Sequence, residues 1–214
     1  MNGIFRDFME QAESIRLKEP LAETLGAFKE ADAILDYRYT DVVKLAGHSC
    51  PTVTGAWLCC LEALTKLYPD EIPVRGEISI TVYGEPDEGV YGVMSQVFGF
   101  ITGAATVTGF KGLGPRFRRK DLLEFSSEKP DPQALCFRFT RVDTGKSVMV
   151  KFYPWLIPLP QEKALKTAEL MEKVVSGKAG AQERKEFQEL WMEKIQLMLI
   201  ERKEIESWLK MEEA

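Results

Sequence analysis

The stretch ALCFRFTRVDTGKSVMVKFY, residues 134–153, decides the fold of this chain. Its two runs alternate apolar and polar side chains, which is the pattern of β-strands with one buried face. The four residues DTGK between the runs suit a tight hairpin turn, so the two strands are predicted to be antiparallel neighbours. A third alternating run, residues 74–83, predicts another strand with one solvated face.

Helical segments surround these strands along the chain. The apolar segment from Pro51 to about Tyr68 is predicted to be a buried helix that begins with proline, whose missing N–H costs nothing at that position. A second buried helix is predicted over 88–102, and a first helix over 4–18 from the spacing of its apolar residues. Because helices and strands do not alternate as in a doubly wound sheet, the sequence predicts an α+β fold with a mainly antiparallel sheet packed against helices.

The C-terminal segment is predicted to be helical, with one helix ending near Val175 and a last helix running from about Gln182 onward. The proline-rich residues 154–160 divide the chain into an α+β core, residues 1–160, and a helical segment, residues 161–214. The last helix carries an apolar stripe, which must be covered by the core of its own chain or by a second copy. The stripe consists of Phe187, Trp191, Ile195, Met198, Ile205 and Leu209.

Composition excludes several classes of protein. A net charge of -5 and a pI near 5.2 give no basic surface for nucleic acid or for an anionic membrane. The first twenty residues lack the pattern of a signal peptide, and no stretch is long and apolar enough to span a bilayer. The four cysteines are too few for a disulfide framework. We therefore expect a cytoplasmic protein with neither a nucleic-acid nor a membrane partner.

His48 and Cys50 form a His-x-Cys pair directly before the buried helix. The free N–H groups of a helix N-terminus stabilise a thiolate, so Cys50 is a candidate metal ligand and a candidate nucleophile. An imidazole and a thiolate together favour zinc, and the remaining ligands must come from elsewhere. The alternative is structural: His48 closes a turn and Cys50 is a small buried residue. Cys59, Cys60 and Cys136 are predicted to be core residues.

The segment GFKGLGPRFRRK, residues 109–120, combines glycines with basic side chains. Glycines let backbone N–H groups approach a ligand, and the basic side chains supply positive charge, so a phosphate or carboxylate would fit. Lys111, Gly112 and Arg116 are the predicted ligand-binding residues. The segment is not a Walker loop, because no Ser or Thr follows a Gly-Lys pair. The alternative is a solvated turn with ordinary basic residues.

Three segments resemble one known family, and the last of them, VVSGKAGAQERKEFQELWMEKIQLMLI, residues 174–200, looks like the helical end of that family's core. GHSCPTVTGAWLCCLEAL, residues 47–64, resembles the signature Gly-His-x-Cys-Pro-Gly and the helix that follows it in the FmdE family, which is named after a component of formylmethanofuran dehydrogenase. ITGAATVTGFKGLG, residues 101–114, occupies the place of that family's Thr-Gly-Cys-Thr-x-Gly-Lys-Gly segment. The resemblance covers most of residues 40–200. It implies an α+β core that forms a homodimer, with His48 and Cys50 at a cleft that can hold a metal.

The chain also departs from the FmdE pattern. Thr52 replaces the glycine after Pro51, and Ala104 stands where the family usually has its second cysteine. No cysteine follows Cys136, so the zinc-ribbon-like tail of some members is missing. The chain has too few cysteines for iron-sulfur clusters, and formylmethanofuran chemistry itself is not predicted.

Two hypotheses about function follow from these features. In the first, the protein binds zinc through His48 and Cys50 in a dimer cleft, as an enzyme or a metal carrier, and the loop around Lys111 binds an anionic ligand nearby. In the second, it is a metal-free module that binds a small molecule, with Cys50 as a reactive thiol. The retained His-x-Cys pair favours the first hypothesis, and Ala104 favours the second.

Overall fold

The protein, described here by a computed structural model over residues 3–29 and 34–214, is built around a five-stranded sheet. In chain order, the strands are β1 (Ile15–Lys18), β2 (Ile34–Tyr37), β3 (Ile78–Tyr83), β4 (Gly112–Leu113), β5 (Phe117–Arg118), β6 (Leu123–Ser126), β7 (Leu135–Arg141), β8 (Ser147–Phe152) and β9 (Leu209–Glu213). The main sheet has the order β6-β3-β7-β8-β9. Only β3 and β6 are parallel in it, and the other neighbours are antiparallel. The predicted hairpin is confirmed as β7 and β8.

Eight α-helices are found in the described part of the chain. They are α1 (Asp7–Glu10), α2 (Pro20–Thr24), α3 (Tyr39–Ala46), α4 (Pro51–Leu67), α5 (Tyr91–Thr102), α6 (Gln161–Val175), α7 (Ala181–Gln196) and α8 (Ile205–Trp208). A 3-10 turn covers Pro154–Leu156, and a π-helical turn over Leu197–Glu201 follows α7 directly. The two predicted buried helices are confirmed as α4 and α5, and the α+β fold class is confirmed with them.

Helices α4 and α5 pack against each other and against the main sheet, α4 on β7 and β8 and α5 on β3. Gly55 of α4 allows this close approach, because a Cβ atom built there would overlap the ring of Phe152 on β8. Aromatic side chains fill the layer between helix and sheet. Phe98 of α5 contacts Phe137 and Phe139 of β7 edge-on, with ring centroids 4.9 and 5.2 Å away. Burial of this layer holds α4 at a fixed position, and with it the turn that precedes α4.

The predicted first helix over 4–18 is wrong for most of its length. Helix α1 spans only Asp7–Glu10, and Ile15–Lys18 forms strand β1, paired antiparallel with β2. The physical reason is visible in the burial pattern: Ile15 and Leu17, two residues apart, are both buried, as the period of a strand requires. Strand pairing of two alternating segments overrode the weaker helical spacing.

The last helix is also shorter than predicted. Helix α7 and the π-helical turn end by Glu201, and the chain then returns through α8 into β9, the edge strand beside β8. Arg202 and Glu204, both at positive φ, break the helix between these segments. Leu209 is therefore buried as a strand residue and not as part of a helical stripe.

The stripe of the last helix is covered largely by its own chain. Ile195 and Met198 are buried in the main core, and Trp208 beside them is fully buried as well. Phe187 and Trp191 remain partly exposed, with their rings 5.4 Å apart. The division into residues 1–160 and 161–214 stays a prediction, although both segments contribute to one core.

Helix α3 does not begin at the residue that its sequence favours as the N-terminal cap. Thr40 is a candidate cap by residue type, but the N-cap is Arg38, two residues earlier, and the side chain of Asp41 accepts the N–H of Arg38 at 3.0 Å. Gly47 ends α3 at φ 73°, in the left-handed conformation expected of it. Within the described residues, no helix is both long and apolar enough to cross a membrane.

Candidate functional site

The His-x-Cys pair lies in the tight turn between α3 and α4. Cys50 is the N-cap residue of α4, and its Sγ accepts the N–H of Val53 at 3.4 Å. His48 is exposed, and Cys50 is half-buried. Proline at the next position fixes the start of α4, so the thiol is held at the positive end of a seventeen-residue helix.

The ring of His48 is oriented by its own turn. Its Nδ1 lies 3.0 Å from the carbonyl oxygen of Ala46. Because a carbonyl oxygen only accepts hydrogen bonds, this contact places the proton on Nδ1 and leaves the lone pair of Nε2 available. A hydrogen bond of this kind is what orients metal-bound histidines, and it also closes a turn. The contact is therefore compatible with both the metal-binding and the structural interpretation of His48.

A buried network supports the turn from behind. The hydroxyl of Tyr39 on α3 is hydrogen-bonded to Ser49 at 2.6 Å and to Thr54 at 2.8 Å. Burial raises the pKa of Tyr39 to about 12, so the phenol stays protonated. Trp191 of α7 donates its indole N–H to the carbonyl of Ser49 at 3.0 Å. The turn that carries His48 and Cys50 is thus tied to α3, α4 and α7.

The other three cysteines are buried, as predicted. Cys59 and Cys60 are fully buried within α4, and burial raises the pKa of both thiols. Cys136 on β7 lies in a small cluster on the outer face of the sheet with Tyr83 and Tyr153, and burial raises its pKa too. Cys50 is the most accessible thiol of the four.

The predicted ligand loop forms the short hairpin β4–β5. Lys111, Gly112 and Arg116 are all exposed, and the guanidinium of Arg116 lies 5.0 Å from the ring centroid of Phe117. The structure requires glycine at position 112, because at φ 81° a Cβ atom there would overlap the carbonyl oxygen of Phe117. Among the described residues, no hydrogen bond or ion pair joins this hairpin to His48 or Cys50. The structure does not bring the two predicted sites into contact.

A buried ion cluster that no sequence pattern predicted lies behind the hairpin. Arg119 from the basic loop and Arg75 from the segment before β3 both pair with the carboxylate of Glu19. Backbone bonds connect the three segments: Arg75 N–H donates to the Lys18 carbonyl, Gly76 N–H donates to the Thr102 carbonyl, and Ala105 N–H, three residues further on, donates to the Arg119 carbonyl. Glu19 lies 56 residues from Arg75 and 100 from Arg119 in sequence, so no local pattern indicated the cluster.

A cleft of about 280 Å³ opens beside this cluster. Its walls are the C-terminal half of α5, the segment from Gly103 to Phe110, and Leu45 of α3. Ala104 is buried in one wall. Arg116 lies on a smaller cavity of about 100 Å³ on the other side of Arg119. Neither His48 nor Cys50 lines either cavity.

One copy of the chain does not supply a full set of ligands for a metal ion. Within residues 3–29 and 34–214, no group of three or more His, Cys, Asp or Glu side chains could hold a metal ion. His48 and Cys50 therefore offer two ligands, with a free ring nitrogen and an accessible sulfur. Zinc is almost always four-coordinate in structural protein sites.

No known protein-family model matches this chain, and a search of curated proteins finds no match either. The resemblance to the FmdE family, drawn from residues 47–64, 101–114 and 174–200, stays a prediction.

Proposed function

We propose that this protein is an FmdE-like, cytoplasmic metal-binding protein that holds zinc through His48 and Cys50. The observation that carries the proposal is the hydrogen bonding and the position of these two side chains. The bond from His48 to Ala46 leaves Nε2 free, and half-buried Cys50 holds its sulfur at a helix N-terminus, where it accepts the N–H of Val53. A borderline metal ion takes imidazole nitrogen and thiolate sulfur together.

Two copies of the chain complete the site in this proposal. Each copy supplies one histidine and one cysteine, and two copies supply the four ligands that a tetrahedral zinc ion takes. A two-fold axis through the ion would make both halves identical. Phe187 and Trp191, partly exposed beside the turn, supply apolar surface for the same homodimer interface. The expected stoichiometry is one zinc ion for every two chains.

Metal analysis and light scattering of untagged protein test this proposal together. We expect half an equivalent of zinc per chain and a dimer that dissociates when a chelator removes the metal. His48→Ala and Cys50→Ser should each abolish zinc retention, whereas Cys136→Ser serves as a control that keeps it. Protein purified without zinc, and unable to take zinc up from buffer, would contradict the proposal. Zinc retained by the His48→Ala, Cys50→Ser double variant would contradict it as well.

The second candidate is a metal-free module that binds a small molecule. Two observations favour it: one copy lacks a third ligand among its described residues, and alanine replaces the family's second cysteine in the cleft wall. In this case Cys50 acts as a reactive thiol and the cleft takes the ligand. Monomeric, zinc-free protein that binds a small molecule would establish this candidate in place of the first.

A further inference from the structure

The ion cluster beside the cleft carries an excess of positive charge. Glu19 is paired with both Arg75 and Arg119, and the three side chains are 6%, 14% and 9% exposed, respectively. Two guanidinium groups against one carboxylate leave one positive charge without a partner. Among the described residues, Nε1 of Trp57 is the one fully buried side-chain donor without a partner, so the unpaired donors of Arg119 reach open space where an anionic group can bind.

The hydrogen bonds of the two arginines differ. Arg75 is fixed on three sides: its Nε and Nη2 donate to the carbonyls of Ile101 and Phe100 at 3.0 and 2.9 Å, and its Nη1 donates to Glu19. Arg119 donates only from Nη2, to Glu19. Within the described part of the chain, Nε and Nη1 of Arg119 have no hydrogen-bond partner. Nε of Arg119 lies against Gly76 on the side of the smaller cavity, 3.2 Å from where a Cβ atom at position 76 would stand, so Nη1 is the unpaired nitrogen left for a ligand in the cleft.

The lining of the cleft matches an anion with an apolar body. Arg75 and Arg119 are its only charged side chains among the described residues, and no acidic side chain lines it. Phe100 and Phe110 contribute aromatic surface, and Thr106 contributes a hydroxyl group. Pockets for small ligands have this composition, with apolar walls and a few polar groups that fix orientation.

We infer that this cleft binds a small organic carboxylate whose carboxyl group pairs with Arg119 and whose apolar body packs on Phe100 and Phe110. An N–H of Nη1 and the second N–H of Nη2, whose first N–H donates to Glu19, are the fork that donates two parallel hydrogen bonds to this carboxylate and orients the ligand. A monoanion matches the single excess charge better than a dianionic phosphate does. The inference uses neither His48 nor Cys50, so it stands or falls independently of zinc binding.

Calorimetric titration with 3-phenylpropanoate tests the inference. We expect saturable binding of this carboxylate and weak or no binding of 3-phenylpropanamide, which has the same shape without the charge. Arg119→Gln should weaken binding on the order of 10- to 100-fold, since it removes a hydrogen-bonded charge. Arg118→Gln is the matched control, because Arg118 is exposed and pairs with Asp121 outside the cleft.

A second variant keeps the test valid if Arg119→Gln does not fold. Phe110 is 85% exposed, so Phe110→Ser should fold normally and weaken the carboxylate several-fold. No binding of 3-phenylpropanoate at millimolar concentration would overturn the inference, as would equal binding of acid and amide. Inorganic phosphate that binds through Arg119 more tightly than 3-phenylpropanoate would overturn the proposed ligand class. Zinc content measured on the same variants should not change, which separates this result from the metal proposal.

Discussion

At the scale of single residues, the chemistry of this chain depends on which polar and sulfur atoms are accessible to solvent and to reagents. Cys50 and Cys59 are nine residues apart in one helical region, yet the first is half-buried and the second is fully buried. Burial keeps the thiols of Cys59 and Cys60 protonated by raising their pKa, and a protonated thiol is a poor nucleophile. Cys50 is half-buried and is the thiol that a small reagent reaches most readily.

We therefore predict that iodoacetamide labels folded, metal-free protein at one position, Cys50. Mass spectrometry of the intact protein should show one added group in the folded state and four in urea, since the chain has four free cysteines. Cys50→Ser should remove the native-state label and leave three labels in urea. Modification of Cys59 or Cys60 in folded protein at a similar rate would show that α4 is not packed as described.

At the scale of elements, the contact between α4 and β8 depends on a glycine. Alanine favours a helix over glycine by about 1 kcal/mol, so propensity alone predicts that Gly55→Ala stabilises the protein. A Cβ atom at this position would overlap the ring of Phe152, however. We expect Gly55→Ala to lower the free energy of unfolding by about 1–3 kcal/mol, the usual cost of overpacking.

Urea denaturation measures this effect, with Thr65→Ala as the matched control. Thr65 lies on the exposed side of the same helix, so its replacement should change the stability by no more than about 0.5 kcal/mol. A stabilised Gly55→Ala variant would mean that α4 and β8 are further apart than the structure places them.

The edge strand β9 supports a second prediction at this scale. It pairs with β8 from Phe152↔Leu209 to Val148↔Glu213, so its removal frees one side of β8. Truncation after Trp208 should increase amide hydrogen exchange along β8. Strand β3 is two strands away and keeps both neighbours, which makes it the internal reference. Unchanged protection of β8 would favour the helical end predicted from the sequence.

At the scale of the whole molecule, the C-terminal segment belongs to the same core as the sheet. Ile195, Met198 and Trp208 lie in one buried cluster with Trp57 of α4. Because the segments share their apolar contacts, we predict that residues 1–160 and 161–214 unfold together. Tryptophan fluorescence and far-ultraviolet circular dichroism should give coincident urea transitions. Two separated transitions would instead support two independent domains.

The sequence by itself determined the parts of the fold that depend on local patterns. The hairpin β7–β8 follows from alternation around a turn, and the buried helix α4 follows from a continuous apolar run after Pro51. Both signals come from neighbouring residues, and burial enforces them strongly. The placement of His48 and Cys50 at the start of α4 could be predicted for the same reason.

Only the tertiary structure decided the rest, because it depends on contacts between distant residues. The segments 15–18 and 209–213 became strands when partners formed beside them, which overrode helical spacing in each. The cluster of Glu19, Arg75 and Arg119 joins residues up to 100 positions apart. The positions of charged residues in the sequence do not show which of them will form ion pairs. Three-dimensional packing alone brings these side chains together and removes them from water.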